Sequence, residues 1–391
     1  MKKQFYFDNA ATTKVDPIVV NEMKKYFLDS YGNASSIHSV GEEARKALDK
    51  AREIIARSIN VLPKEIIFTS SGTESNNFVV KGLAFTYPEK KHIITTKIEH
   101  DCILNACKWL ERHQGYKITY LDVDKEGFVD INQLKNSITE NTLLVSVIHG
   151  NNEMGTIQDL SKIAEICHSK GVFFHSDACQ SYTKTFIDVK KQGIDLLTLN
   201  SHKIHGPKGV GALYIKSGIK IVPLLHGGGQ EFNKRSSTEN IPGIVGFSKA
   251  VSIAFSAVGK KGVAEMTKLR DYMIKKLLEV PESRLNGARG KDRLCNNINI
   301  SFAKIEGESI AAMLNLKGIC VSTGSACSSK SLDPSHVIMA IESNPERAHG
   351  SIRYSISKYT KKSEIDYVIS ETKKVVEQLR KISPLTKKLP N

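Results

Sequence analysis

An α/β fold with a parallel sheet is what this 391-residue chain predicts, and three observations carry the prediction. Between residues 66 and 216 a short apolar run, a polar stretch and a helix-like segment recur in that order. Reactive or hydrogen-bonding side chains fall just after the apolar runs, and open α/β sheets bind ligands outside the carboxyl ends of their strands. After about residue 280 the alternation gives way to α+β texture, which predicts a second, smaller unit. A chain of this length is expected to exceed one core in any case.

Taken in order, residues 41–60 predict an amphipathic helix, with Ala44, Ala47, Leu48, Ala51, Ile54 and Ile55 at helical spacing and Pro63 beyond its end. Ile66-Ile67-Phe68 then leads into Ser70-Ser71-Gly72-Thr73, and Ile93-Ile94 into Glu99-His100. Leu143-Leu144-Val145 leads into Asn151-Asn152-Glu153, and Val172-Phe173-Phe174 into Asp177 and Gln180. Leu196-Leu197-Thr198-Leu199 ends at Asn200-Ser201-His202-Lys203, and Gly211–Ile215 closes the alternation. Beyond the glycines of His226-Gly227-Gly228-Gly229, residues 244–280 predict helix and a hinge between the two units. Ile298, Ile300 and Phe302 alternate like a half-buried strand, and Glu308–Leu316 suits a helix. Ile352–Ile356 suits another strand, and Ile365, Val368, Ile369, Val375, Val376, Leu379 and Ile382 predict a final amphipathic helix.

Composition narrows the function classes. Hydrophobic residues at 40% and charged residues at 25% are ordinary for a globular protein. No stretch approaches the roughly 20 apolar residues that span a bilayer, so no membrane role is expected. The opening Met1-Lys2-Lys3-Gln4-Phe5 lacks the apolar core of a secretory signal, which makes a cytoplasmic location the expectation. The seven cysteines include no CxxC pair, so no metal site is expected. The net charge of +15 could signal nucleic acid. The lysines are dispersed and no basic tract interleaves with aromatics, which favours a solvated lysine-rich surface over a nucleic-acid partner.

The chemistry starts at Ser71-Gly72-Thr73-Glu74-Ser75, between a strand and a helix expected to begin near Thr73. Glycine lets backbone come close, and the first amides of a helix favour an anion such as phosphate. The same run is equally an ordinary helix cap. It matches neither a Walker loop nor GxGxxG, which argues against NTP and dinucleotide ligands. Lys203 follows a strand directly, and a lysine of lowered pKa forms Schiff bases. Pyridoxal phosphate needs such a lysine, a phosphate cradle and an acidic partner for its ring nitrogen, a part Asp177 can take. Taken singly, Lys203 reads as solvated and Asp177 as a turn cap.

His100 could stack on an aromatic cofactor and move protons, although a lone histidine is more often structural. Asn152 and Gln180 suit a ring hydroxyl or, equally, loop backbone. Cys327 lies among small residues in Ser322-Thr323-Gly324-Ser325-Ala326-Cys327-Ser328-Ser329, a setting for an accessible thiol that attacks sulfur. A lone cysteine is usually inert, and this setting raises the odds. Arg353 offers a fork for a substrate carboxylate or for a surface ion pair. The joint occurrence of these residues, rather than any one of them, carries the reading.

That combination resembles the cysteine desulfurases of the NifS/IscS type, in the class V aminotransferase-like group of fold-type I pyridoxal phosphate enzymes. The matching segments run from about Tyr6 to Leu385. They include Phe7-Asp8-Asn9-Ala10-Ala11-Thr12-Thr13, Gly32-Asn33-Ala34-Ser35-Ser36-Ile37-His38, Thr73-Glu74-Ser75-Asn76-Asn77 and Glu99-His100. They continue through Asn151-Asn152-Glu153-Met154-Gly155, Asp177-Ala178-Cys179-Gln180, Ser201-His202-Lys203, Gly324-Ser325-Ala326-Cys327 and Ser351-Ile352-Arg353.

The resemblance implies a large cofactor-binding domain over 13–258, with a mostly parallel seven-stranded sheet flanked by helices. Residues 1–12 and 259–391 would form a smaller α+β domain carrying the cysteine loop at about 322–335. It further implies that Lys203 holds pyridoxal 5'-phosphate covalently, that His100 stacks on the ring and shuttles protons, and that Asp177 pairs with the ring nitrogen. Gln180 and Asn152 would contact the ring's phenolic oxygen. Gly72, Thr73, Asn200, Ser201 and His202 would surround the phosphate. Thr238, in Arg235-Ser236-Ser237-Thr238, would reach the phosphate of a second subunit, which implies a homodimer. Arg353, with Asn152, would bind the substrate L-cysteine, and Cys327 would take its sulfur as a persulfide with release of L-alanine.

The Gly-Ser-Ala-Cys run and the ending Leu379-Arg380-Lys381-Ile382-Ser383-Pro384-Leu385 are similar to the IscS/NifS subgroup. They imply a sulfur-acceptor protein, such as an acidic scaffold for iron–sulfur cluster assembly. The chain departs from the family pattern at Asn200, where serine is usual, at Ser237 for glycine and at Ala34 for proline. Cys179 adds a second thiol beside Gln180. Two other readings keep the fold: a selenocysteine lyase-like enzyme, and a catalytically silent scaffold homologue.

Overall fold

The computed structural model describes residues 3–323, 334–342 and 344–384. Its strands in chain order are β1 (Phe5–Tyr6), β2 (Ile66–Thr69), β3 (His92–Thr96), β4 (Lys117–Leu121), β5 (Thr142–Ser146) and β6 (Phe173–Asp177). Then follow β7 (Leu196–Asn200), β8 (Gly211–Ile215), β9 (Ser283–Leu285), β10 (Asn297–Phe302), β11 (Ile319–Cys320) and β12 (Ser351–Ser355). Seven of them form the central sheet in the order β2-β8-β7-β6-β5-β3-β4. Only β8 runs against its neighbours β2 and β7. The other pairings are parallel, as the alternation of strand and helix requires.

The strands are apolar on both faces because helices cover both. Ile67, Ile93 and Leu196 face one core, where helices Gly72–Thr86 and Asp101–Gln114 contribute Phe78, Leu83, Ile103 and Leu110. Ile66, Phe68, Ile94, Leu197 and Leu199 face the other. There they meet Leu48 and Ile55 of helix Ser39–Ser58, Ile163 of helix Leu160–Ser169 and Phe247 of helix Ile241–Phe255. Near-continuous apolar runs are the signature of strands covered in this way. Helix Ser39–Ser58 starts two residues before the expected 41, because His38 Nδ1 accepts from the Gly41 amide at 3.3 Å and caps it.

The helix expected over 244–280 is two helices, Ile241–Phe255 and Ala257–Leu277, bent by 70°. Ser256 ends the first in an extended conformation and caps the second through its hydroxyl, which accepts from the Gly259 amide. Serine competes for backbone in this way at helix starts. Among the described residues no single helix is long and apolar enough to cross a membrane.

A second core lies around the antiparallel sheet β12-β10-β9 and the parallel pair β1-β11. Met273 and Leu277 of the second of those helices, and Ile365, Val368 and Val376 of helix Lys362–Ile382, pack on it. Strand β10 is buried along its whole length, not half-buried as its alternation predicts. Its polar face is turned to protein: Asn297 Nδ2 and Asn299 Nδ2 both donate to the Glu153 carbonyl, and Asn286 Nδ2 donates to Asn299 Oδ1.

Candidate active site

A pocket of about 300 Å³ opens where β2, β3, β6 and β7 end. Each strand hands the chain to a turn whose side chains line it. After β2 come Ser71, Gly72 and Thr73; after β3, Glu99 and His100; at the end of β6, Asp177 with Cys179 and Gln180; after β7, Asn200, His202 and Lys203. Asn152 and Arg353 complete the wall. Of the residues singled out in the sequence, the fold therefore brings Gly72, Thr73, His100, Asn152, Asp177, Gln180, Asn200, His202, Lys203 and Arg353 together. Ser201 is fully buried and does not line the pocket, and its Oγ has no hydrogen-bond partner among the described residues.

Thr238 does not line this pocket in its own chain. It borders a separate cavity of about 220 Å³ with Ser70, Arg235 and Ser237. Cys327 lies outside the described residues, as does most of the predicted cysteine loop.

The Ser71 hydroxyl accepts from the Glu74 amide at 3.1 Å and starts helix Gly72–Thr86 at Gly72, one residue earlier than expected. The first amides of this helix have no intrahelical acceptor. A Cβ on Gly72 would stand 2.5 Å from Cys179 Sγ, so only glycine keeps this corner open. Asn200 Oδ1, Ser201 Oγ and Asn152 Oδ1 are all buried without a partner among the described residues. Buried polar atoms of this kind are normally satisfied, so the two on residues that line the pocket, Asn200 Oδ1 and Asn152 Oδ1, mark a polar ligand there. The donor-rich helix start, the amine of Lys203 and the carboxylate of Asp177 fit a phosphorylated aromatic aldehyde with a basic ring nitrogen.

The electrostatics are set by burial. Burial alone would raise the Asp177 carboxyl, but the Cys179 amide at 2.8 Å, the Cys179 thiol, nearby His100 and the Asn76 amide at 2.7 Å hold it below its ordinary value. Asp177 is thus an anion at the floor of the pocket. His100 is lowered, first by burial and then by the charge of Lys203. Its Nδ1 accepts from the Cys102 amide at 3.2 Å as it caps helix Asp101–Gln114, which assigns the ring proton to Nε2. His202 is pushed down to about 4 by burial and by Lys203, and its Nδ1 lies 3.2 Å from Thr12 Oγ1.

Arg353 is not on the surface. Its side chain is 5% exposed, with Nη2 donating to Asp8 Oδ1 at 2.9 Å and Nη1 to the Asn152 carbonyl at 3.0 Å. Gln180 Nε2 donates to the Ala10 carbonyl at 2.8 Å, leaving its Oε1 for the pocket.

Sequence reasoning assigned no role to several contributors. Asn76 bonds Asp177 and, at 3.1 Å, Cys102 Sγ. Glu99 is fully buried, with its carboxyl raised to about 8 by burial. Glu153 is raised by burial too, and bonds Ser335. Asn76, Glu99 and Glu153 all stand inside the matched segments, and the two glutamates follow apolar runs, so the signal was present, but nothing local assigns them a role beyond that of helix and loop polars.

Comparison with known proteins places the chain as a whole. The family model described as aminotransferase class-V matches residues 5–368. The chain is 48% identical over 386 residues to a protein of Dictyoglomus turgidum named cysteine desulfurase IscS, covering 98% of this chain and 97% of that one. It is 47% identical over 387 residues to a protein of the same name from Methanosarcina thermophila, covering 99% and 95%. A solved structure described as a NifS-like protein superposes with a TM-score of 0.90 at 38% identity, covering 96% of this chain and all of that one. Another, described as SspA in complex with cysteine, gives a TM-score of 0.80 at 37% identity, covering 92% of this chain and all of that one. Matched along almost its whole length and folded as they are, the chain belongs to the class-V aminotransferase family.

Proposed function

We propose that the chain is a pyridoxal phosphate-dependent cysteine desulfurase, converting L-cysteine to L-alanine and carrying the sulfur away on its own cysteine. The observation that carries this reading is the meeting of Lys203, His100, Asp177 and the Arg353 guanidinium around one pocket with a helix start at its end. The likeness to proteins named cysteine desulfurase IscS supports it.

When bound, pyridoxal phosphate supplies an aldehyde for the substrate amine and a ring that accepts electrons as the α-proton leaves. Lys203 Nζ would hold it, and Asp177, kept anionic by its hydrogen bonds, would keep its ring nitrogen protonated. The Ser71–Thr73 turn, Asn200, Ser201 and His202 would take the phosphate, with Asn152 and Gln180 at the phenolic oxygen. Arg353 orients the substrate carboxylate, its fork already aligned by Asp8 and the Asn152 carbonyl. His100 holds a proton on Nε2 for transfer within the pocket. The Cys327 thiolate attacks the substrate sulfur, so that an S–S bond forms as the substrate C–S bond breaks, and the remainder leaves as L-alanine after protonation.

Four further points belong to this reading. The chain works as a homodimer in which Thr238 serves the site of a second copy, in keeping with its place outside the lining of the pocket in its own chain. The persulfide passes to a sulfur-acceptor protein, for which an acidic scaffold of iron–sulfur assembly suits the net charge of +15. The smaller unit, over 1–12 and 259–391, carries Cys327 to the pocket of the larger. The setting is cytoplasmic, where thiols stay reduced.

The test is release of L-alanine from L-cysteine with a thiol acceptor present. Cys327→Ala should abolish persulfide while keeping the cofactor's absorbance, and borohydride should label Lys203. Alanine release that survives in Cys327→Ala with selenocysteine alone would turn the assignment to a selenocysteine lyase. A colourless protein that takes up no cofactor would leave only a silent scaffold.

A further inference from the structure

Three consecutive non-glycine residues outside the pocket sit in the left-handed region: Glu231 at φ 50°, Phe232 at φ 57° and Asn233 at φ 61°. Each such residue costs free energy, and strain of this kind persists only where surrounding contacts over-determine it. The contacts are plain. The Glu231 carboxylate is 3% exposed and accepts from Arg52 Nη1 and Nη2, both at 2.7 Å, and from the Phe68 amide at 2.8 Å. Arg52 Nη1 also donates to the Ile66 carbonyl at 2.6 Å. The guanidinium lies 4.8 Å from the Phe68 ring centroid and 5.0 Å from that of Phe232. The turn is therefore bolted to β2.

What the turn delivers is Arg235. Its Nε donates to Glu74 Oε1 at 2.8 Å and its Nη2 to Glu74 Oε2 at 3.2 Å. Glu74 Oε2 in turn accepts from the Ser70 amide at 2.7 Å and from the Ser70 hydroxyl. Glu74 is the third residue of the helix whose first two, Gly72 and Thr73, line the pocket. A chain of charge-assisted bonds thus runs from a buried arginine, through a strained turn, to the two ends of the Ser70–Glu74 turn.

We propose that Glu231 and Arg235 are positioning residues for the phosphate end of the pocket: the latched left-handed turn holds Arg235 on Glu74 and so fixes the anion cradle. This rests on the reading of that cradle as a phosphate site. It goes beyond that reading in naming residues that do not line the pocket itself and border instead the separate cavity beside Thr238.

The experiment titrates cofactor-free full-length protein with pyridoxal phosphate and with pyridoxal, which lacks the phosphate, and follows absorbance. Arg235→Met should weaken pyridoxal phosphate about tenfold and pyridoxal by less than about twofold, because only the anion uses the cradle. Arg235→Lys should recover part of the difference, since a single ammonium cannot make the forked pair. Folded Glu231→Gln should repeat the Arg235→Met pattern; if it does not fold, Arg235→Met decides. Equal weakening of both ligands, or full retention of the preference for the phosphorylated one, overturns the inference. Wild-type protein with no preference between them overturns the phosphate reading itself, which separates the two failures.

Discussion

The Asn76 side-chain amide donates to Asp177 Oδ2 across 2.7 Å, joining the second turn of a helix to the end of a strand 101 residues later. Both groups are buried, and the bond is one reason the Asp177 carboxyl stays ionised against its burial. A hydrogen bond to a buried charge contributes about 1.5–3 kcal/mol. Asn76→Ala is therefore expected to raise the Asp177 pKa and to cost that order of stability. A urea titration checks the second effect. The first is read from the pH at which the bound cofactor's absorbance changes, which should move in Asn76→Ala and stay put in a control at half-buried Asn77, whose side chain bonds the Thr73 carbonyl instead.

Glu99 gives the fold a pH dependence opposite to that of an ordinary paired carboxylate. Burial is the main cause that raises it from 4.5 to about 8; the Ile148 amide and Thr96 hydroxyl pull the other way, and the charge of Asp177 adds to the rise. Between those two values the folded chain keeps a proton that the unfolded chain has released. The stability this group contributes is full below the unfolded value and is lost as pH rises through the folded one, by roughly 1.4 kcal/mol per pH unit. Glu99→Gln removes the titration and keeps the shape. Denaturation of both proteins should show the variant gaining on the wild type from about pH 5 to about pH 8, and a constant difference would rule this out.

Arg353 is fixed before substrate arrives, by Asp8 on one side and the Asn152 carbonyl on the other. Removing one partner of a buried, hydrogen-bonded charge pair costs about 2–5 kcal/mol, or roughly 30-fold to several thousandfold in binding. Arg353→Met should therefore raise KM for L-cysteine by at least that lower factor while cofactor uptake is unchanged. Arg353→Lys should fall between, because an ammonium cannot fork. Steady-state kinetics over a range of L-cysteine separates KM from kcat. A change confined to kcat would remove Arg353 from the role of carboxylate anchor.

These residues also mark where sequence stops being legible. Strands β2, β3, β6 and β7 were readable because short apolar runs recur between turn residues and helical patterns, and their following turns named most of the pocket. The break at Ser256 escaped because helical apolar spacing continues across it, although Ser256 with Gly259 three residues on is a cap signal. The polar face of β10 suggested solvent, whereas Asn297 and Asn299 meet a carbonyl more than 140 residues away in sequence. Asn76 has the same difficulty: its partner is set by sheet order, which no local pattern encodes.

Gly72 and Cys179 form a steric pair that can be tested in both directions. A methyl group on Gly72 would stand 2.5 Å from Cys179 Sγ, closer than such contacts tolerate, in the corner where the helix start meets Asp177. Overpacking of this kind typically costs about 1–3 kcal/mol. Gly72→Ala should lower stability by that amount and weaken cofactor retention. Cys179→Ala alone removes the obstructing sulfur, along with one hydrogen bond to Asp177, and should have a smaller effect. In the double variant the methyl group occupies the space the sulfur left, so its loss should be less than the sum of the two singles, by more than about 0.5 kcal/mol. Additive losses in thermal or urea denaturation would mean that the clash is relieved by backbone movement instead, and that the glycine is required for close approach of the ligand rather than for room beside the thiol.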